Sequence, residues 1–252
     1  MTSPHNELLQ LFQPISLEEM DKVAFMNRVD TKYVFNSMQL KDILQEASKQ
    51  YRILEVNSVR QHLYDSLYFD TPDYQMYYWH LYKRLNRYKI RFRKYVNSNG
   101  LTFLEIKFKD NKEKTYKKRK QYNDILPYIP DELTNFIETK TPFSAKELLP
   151  VLQIRYYRMT LVSNNLNERV TIDTHLSFNN FSTATSFDNI VIAEVKRSNY
   201  SDKTTFIKLL KQFGIKEGGL SKYCTGMALN NNLLKKNNFL PILKQFQKIN
   251  QI

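Results

Sequence analysis

Between Lys89 and Tyr95 the chain reads KIRFRKY, so that Lys89, Arg91 and Arg93 alternate with Ile90 and Phe92. In an extended strand successive side chains point to opposite faces, which puts the three cations on one face and the apolar pair on the other. A row of guanidinium forks and ammoniums is suited to phosphate, because its donors match phosphate oxygens in charge and geometry. The alternation recurs. Glu105, Lys107 and Lys109 oppose Leu104, Ile106 and Phe108, and Tyr156 shares a side with Arg158. Arg169, Thr171 and Asp173 oppose Val170 and Ile172, and Glu194 and Lys196 oppose Val191, Ala193 and Val195. In TYKKRKQY, Lys117 and Arg119 share a face, but Lys118 and Lys120 leave the choice of face open to a one-residue shift.

Carboxylates stand among these cations. Hard oxygen ligands of this kind suit Mg2+ or Mn2+, which would bridge phosphate groups. Glu105 fits either a second metal ligand or an ion pair with Lys107 or Lys109. Asp173 fits either a catalytic carboxylate or a structural pair with a neighbouring arginine. Two arrangements satisfy the whole pattern: a solvated outer sheet face backed by helices, or a tunnel into which several strands direct their charges. Unpaired ions in a dry interior cost several kcal/mol each, so the tunnel must hold water or a polyanion.

The elements that would position these residues follow from the rest of the chain. Its 252 residues are 42% hydrophobic and 13% aromatic, enough for a real core and unlike a disordered polypeptide. Lys and Arg number 38 against 25 Asp and Glu, and the formal charge of +13 asks for an anionic partner. A single cysteine, Cys224, rules out an intramolecular disulfide and suits a reducing compartment. The first residues lack the charged and apolar regions of a signal peptide, and no run reaches the roughly 20 apolar residues of a membrane span. A cytoplasmic location is expected.

Helical spacing begins at Ser16 through Leu17, Met20, Val23 and Ala24, and recurs over 37–50, 73–86 and 204–213; a helical interval is also predicted around 130–149. Strands are predicted over 28–35, 58–69, 89–96, 101–110, 114–122, 151–163, 168–178 and 189–198, with turns at Asp70-Thr71-Pro72 and Asn97–Gly100. Many antiparallel strands without a domain break predict an α+β fold, a barrel-like antiparallel sheet with flanking helices over 1–230. Residues 231–252 form a basic amphipathic tail, suited to a membrane or partner surface or to packing on its own barrel. Cys224, His80, His175 and the Trp79 and Tyr74–Tyr82 cluster read as packing rather than chemistry.

Taken in order, RVDTKYVF, YFDTP, KIRFRKY, LEIKFK, the YYR of Tyr156–Arg158, the IDT of Ile172–Thr174, AEVK and LSKY resemble the VTC domain. That domain is the polyphosphate polymerase module of the triphosphate tunnel (CYTH-like) superfamily, and the resemblance spans roughly residues 20–230. It implies a tunnel of about eight antiparallel strands. It also implies transfer of the γ-phosphate of ATP onto inorganic polyphosphate. By motif position it implies that Lys32, Arg91, Arg93, Lys107, Arg158 and Lys222 act on the phosphates, with Lys117, Arg169, Tyr156, Ser221 and Lys196 binding substrate. Glu194 is implied as the ligand of Mn2+ or Mg2+. Where hydrolytic relatives begin with ExExK, this chain has Arg28-Val29-Asp30-Thr31-Lys32, a loss of one carboxylate that suits a polymerase better than a triphosphatase. A membrane-protein partner is implied, and no specific nucleic acid is expected.

Overall fold

The computed structural model describes residues 6–21, 29–112, 114–198 and 204–251. The predicted positions Val23, Ala24 and Arg28 lie outside them. In chain order the elements are α1 (Asn6–Leu9), β1 (Gln13–Ile15), α2 (Leu17–Asp21), β2 (Val29–Asn36), α3 (Leu40–Ala47), β3 (Tyr51–Leu54) and β4 (His62–Asp70). Then come α4 (Gln75–Leu81), β5 (Arg87–Tyr95), β6 (Leu101–Lys109), β7 (Thr115–Tyr122), α5 (Asp131–Glu138), β8 (Leu149–Ser163) and β9 (Glu168–Asn179). β10 (Ala184–Phe187), β11 (Ile190–Arg197), α6 (Thr205–Gln212), α7 (Lys222–Asn230) and α8 (Leu240–Asn250) complete the chain.

Eight strands are joined in the order β2-β11-β9-β8-β4-β5-β6-β7. The short β3 and β10 attach to β8 and β9, and β1 adds a parallel pair to β3. The expected barrel is corrected to an open sheet: among the described residues β2 and β7 do not pair. The reason lies at β2, whose free edge is already taken. Gly218 donates its backbone N–H to the Lys32 carbonyl at 2.8 Å, and Glu217 bridges Tyr33. A short loop thus covers the edge that a closing strand would need. β7 in turn is exposed along nearly its whole length.

Curvature still brings the two ends of the sheet near each other, because Lys32 of β2 and Lys107 of β6 fall within each other's electrostatic reach. The sheet is therefore curved into a trough with the cation-bearing positions on its inner face. On its convex side the apolar faces of α3 and α6, including Ile43, Leu44, Phe206 and Leu210, pack on Ile172, Ala193 and Val195. α5 covers Ile90, Phe92, Leu104 and Ile106 through Leu133 and Ile137. These are the apolar partners of the cation-bearing positions, as strand alternation requires.

One end of the concave side is filled by α7 and α8, whose Tyr223, Cys224, Met227, Leu243 and Phe246 pack against Ile154, Phe178 and Ile192. The apolar side of α8 is buried in the chain's own core. The Gln245 side chain donates to the Val34 carbonyl at 2.9 Å and holds the helix there. α7 lies so close to the sheet that a Cβ on Gly226 would come within 2.4 Å of Phe178 Cδ1 and 2.8 Å of Leu152 Cδ2. Gly226→Ala is expected to destabilise the fold by about 3 kcal/mol, since neither ring nor branch has room to retreat. Differential scanning fluorimetry would register this as a drop of about 6–12 °C.

The turn after β4 shows why Asp70-Thr71-Pro72 matters. The fully buried Asp70 carboxylate accepts from the backbone N–H groups of Thr71, Met76 and Tyr77 at 2.8, 2.9 and 3.0 Å, and from the Tyr223 hydroxyl. One side chain thus ties the end of β4 to the start of α4 and to α7, and fixes where the α7 N-terminus points.

Candidate functional site

Three carboxylates organise the concave face, each shared between cations from different positions. Glu105, opposite Arg91 in the β5–β6 register, is 2% exposed. It accepts from Arg91 Nε and Nη2 at 2.9 and 2.7 Å, lies 4.0 Å from Arg93 Nε and pairs with Lys117 of β7. Asp173 takes a two-pronged contact from Arg158 of the adjacent β8, at 2.6 and 2.8 Å, and a third from Lys222 Nζ at 2.5 Å. Glu194 pairs with Lys196, two residues along the same face, and lies 3.8 Å from Lys32 directly across on β2.

Tyrosines brace the arginines. Arg91 Nη1 donates to the Tyr68 hydroxyl at 2.6 Å, Arg93 Nη2 to Tyr156 at 2.9 Å and Arg93 Nε to Ser66 at 3.2 Å. Tyr64 stacks on Tyr156 with centroids 5.3 Å apart, and the guanidiniums of Arg93 and Arg158 lie 5.2 and 4.9 Å from the Tyr64 ring. A cation over an aromatic face at this range is attracted by the ring quadrupole, so these contacts hold the guanidiniums without neutralising them.

The cations outnumber their counter-ions. Seven share three carboxylates, and neither Lys89 nor Lys107 has a carboxylate within ion-pair distance among the described residues. Burial would raise the Glu105 carboxyl, but Arg91, Arg93 and Lys117 outweigh it and hold the group far below the usual carboxylate range. Asp173 behaves alike, with Arg158 and Lys222 overcoming burial. The lysines answer in the opposite sense. Burial pushes Lys107 down to about 8, with Lys32 and Arg91 adding to the effect. Lys32 is lowered by burial, and Lys222 and Lys109 reinforce this against Asp30. Lys107 remains exposed to solvent on this face.

The trough brings together Lys32, Arg91, Arg93, Lys107, Lys117, Arg158, Lys196, Lys222, Tyr156 and Glu194. The open choice at β7 resolves in two steps: the register puts Lys117 and Arg119 on the inner face, opposite Lys107 and Glu105, and of the two Lys117 makes the ion pair with Glu105, while Lys120 reaches the Glu132 carbonyl at 3.0 Å. Ser221 caps α7 by accepting from Cys224 N at 3.3 Å. Arg169 stands opposite Lys196 in the β9–β11 register, about 13 Å along β9 from Asp173, and its Nη2 donates to the Met20 carbonyl at 2.9 Å. The pairing expected for Glu105 is corrected: its partners are cross-strand Arg91, Arg93 and Lys117, because a directly opposed residue such as Arg91 stands closer than one two or four places along the same strand. Sequence reasoning missed Tyr64 and Tyr68 as braces and left Lys89 out of the site. The YFDTP motif and the KIRFR alternation carried the signals for Tyr68 and Lys89.

A strongly curved antiparallel sheet with this cation set is the architecture of the tunnel-type phosphoryl-handling enzymes. The VTC domain model matches residues 27–231, and the chain belongs to that family, within the CYTH-like superfamily. Among solved structures, a putative adenylyl cyclase from Hippeastrum, described as having a dominant triphosphatase activity, aligns with a TM-score of 0.52 at 15% identity. That alignment covers 83% of this chain and 99% of the other. A putative adenylate cyclase from Bacillus halodurans aligns over 77% of this chain and 94% of its own, with a TM-score of 0.48 and 12% identity. No curated protein matches. Among the described residues no helix is long and apolar enough to cross a membrane.

The superfamily generally uses divalent metals. Among the described residues no three His, Cys, Asp or Glu side chains group as a metal cage. Glu194, the least buried of the three shared carboxylates at 21% side-chain exposure, fits an ion that arrives with its substrate. Magnesium-type ions are commonly held by one or two carboxylates, with phosphate oxygens and water completing the shell.

Proposed function

We propose that the chain is a polyphosphate polymerase that transfers the γ-phosphate of ATP to the end of an inorganic polyphosphate chain. What supports this reading above all is the surplus of pre-oriented cations along one curved face, matched to a family whose model covers residues 27–231. The arginines are held by Glu105, Asp173 and tyrosines, yet the face keeps a net positive charge that a phosphate chain would neutralise. Arg91, Arg93, Arg158 and Lys222 grip the oxygens of the reacting phosphates, with Lys32, Lys107 and Lys117 along the same wall.

The chain-end phosphate oxygen attacks the γ-phosphorus, a new P–O bond forms, and the bond to the β-phosphate oxygen breaks to release a nucleoside diphosphate. The ionised nucleophile needs no strong base, so catalysis rests on alignment and on charge stabilisation by the fixed cations. Glu194 would hold Mn2+ or Mg2+, which when bound supplies charge neutralisation across the phosphates. The N-terminus of α7, with Ser221 at its cap, adds a partial positive charge beside Lys222.

Incubating the protein with ATP and Mn2+ or Mg2+ and resolving products on a gel tests the proposal. A ladder of phosphate chains is the expected result. Orthophosphate alone would replace polymerase by tunnel triphosphatase, and binding without turnover would leave a polyphosphate-binding module.

A further inference from the structure

Lys89 stands on the same face as Arg91 and Arg93, opposite Lys107 in the β5–β6 register. Unlike those arginines it has no carboxylate partner among the described residues. Its Nζ donates to the Ser221 hydroxyl at 2.9 Å and lies 3.3 Å from His80 Nε2. His80 belongs to the last turn of α4, and Ser221 is the N-cap of α7, so two helices anchored by Asp70 hold this amine from either side. Resting on the Proposed function, we infer that Lys89 is a further phosphate-binding residue of the trough, oriented by His80, and that it takes up a proton when a phosphate chain arrives.

The surroundings explain the proton. On β5 Lys89 is flanked by Arg87 and Arg91, with Lys107 facing it from β6 and Lys32 from β2. The buried Cys224 thiol faces it from α7, and its own burial keeps it neutral; Asp70 behind it is engaged by backbone donors and Tyr223. Burial pushes Lys89 down to about 7; Cys224 opposes this, and Lys107, Lys32 and Arg91 reinforce it. Burial first, and then Lys89 and Arg87, keep the His80 ring neutral, so that its Nε2 can accept from Lys89. The sign follows. Without ligand the amine is largely unprotonated above about pH 7; a phosphate chain beside it favours the ammonium, so binding draws a proton from solvent and weakens as pH rises.

Isothermal titration with inorganic tripolyphosphate, at about pH 8 in buffers of different ionisation enthalpy, reads both affinity and proton uptake. Wild type is expected to take up about one proton more than Lys89→Met and to bind about tenfold tighter. Lys89→Arg, permanently charged, is expected to keep the affinity and lose the extra proton. His80→Leu should lower affinity and move the pH midpoint of binding, whereas His80→Gln, which retains an acceptor, should restore both. Wild-type binding with unchanged proton uptake in Lys89→Met and Lys89→Arg overturns this inference and leaves the proposed function standing. Absence of tripolyphosphate binding by the wild type removes both.

Discussion

Glu105→Gln is expected to lower the unfolding midpoint by about 10 °C, and tripolyphosphate is expected to restore most of that loss. The substitution preserves volume and removes one charge. Arg91, Arg93 and Lys117 would then face one another around a neutral amide, and breaking a buried ion group in this way costs about 3–5 kcal/mol. For a chain of this size each kcal/mol corresponds to about 2–4 °C. The Glu105 carboxyl lies below its unfolded value in the folded protein. Its contribution is therefore fully present at neutral pH and is lost only as pH falls below about 4. A bound phosphate chain supplies the missing negative charge, so the ligand should stabilise the variant more than the wild type. Thermal melts with and without tripolyphosphate decide the matter: a variant melting within about 2 °C of wild type would show that Glu105 does not organise the three cations.

The second large effect concerns turnover rather than stability. Glu194→Ala is expected to reduce product formation from ATP about a thousandfold, the size of losing several kcal/mol of charge stabilisation at the transferring phosphate. The fold should survive, because Glu194 is less buried than Glu105 or Asp173 and leaves fewer cations without a counter-charge than Glu105 does. Affinity for tripolyphosphate without metal should hold or rise, since a negative charge leaves the trough. That split between retained binding and lost turnover marks a metal site. Equal rates for variant and wild type across a Mn2+ titration would remove Glu194 from that role.

Particular residues show how much was legible beforehand. The alternation in KIRFRKY and LEIKFKD gives the facing of Arg91, Arg93, Glu105 and Lys107 correctly, because strand geometry has a period of two whatever surrounds it. The same rule is ambiguous at β7, where cations occupy successive positions: the register with β6 puts Lys117 and Arg119 on the inner face, and the ion pair to Glu105 singles out Lys117. The helical interval over 130–149 splits into the eight residues of α5, which bury Leu133 and Ile137, and a single 3-10 turn at Ala145–Glu147. Strand edges are not written in side-chain alternation, so the covering of the β2 edge by Glu217 and Gly218, and with it the open sheet, was not visible.

By itself the sequence determined which side chains share a face, that cations exceed carboxylates, and which order of motifs ties the chain to its family. Those properties are local or additive, and folding cannot alter them. Only the tertiary structure decided which carboxylate serves which cation, that Arg169 turns to α2 instead of joining the Asp173 group, and that Lys89 meets His80 and Ser221. Each depends on distances between residues remote in the chain, and ion pairing and pKa respond to ångströms of separation and to burial that no spacing in sequence encodes.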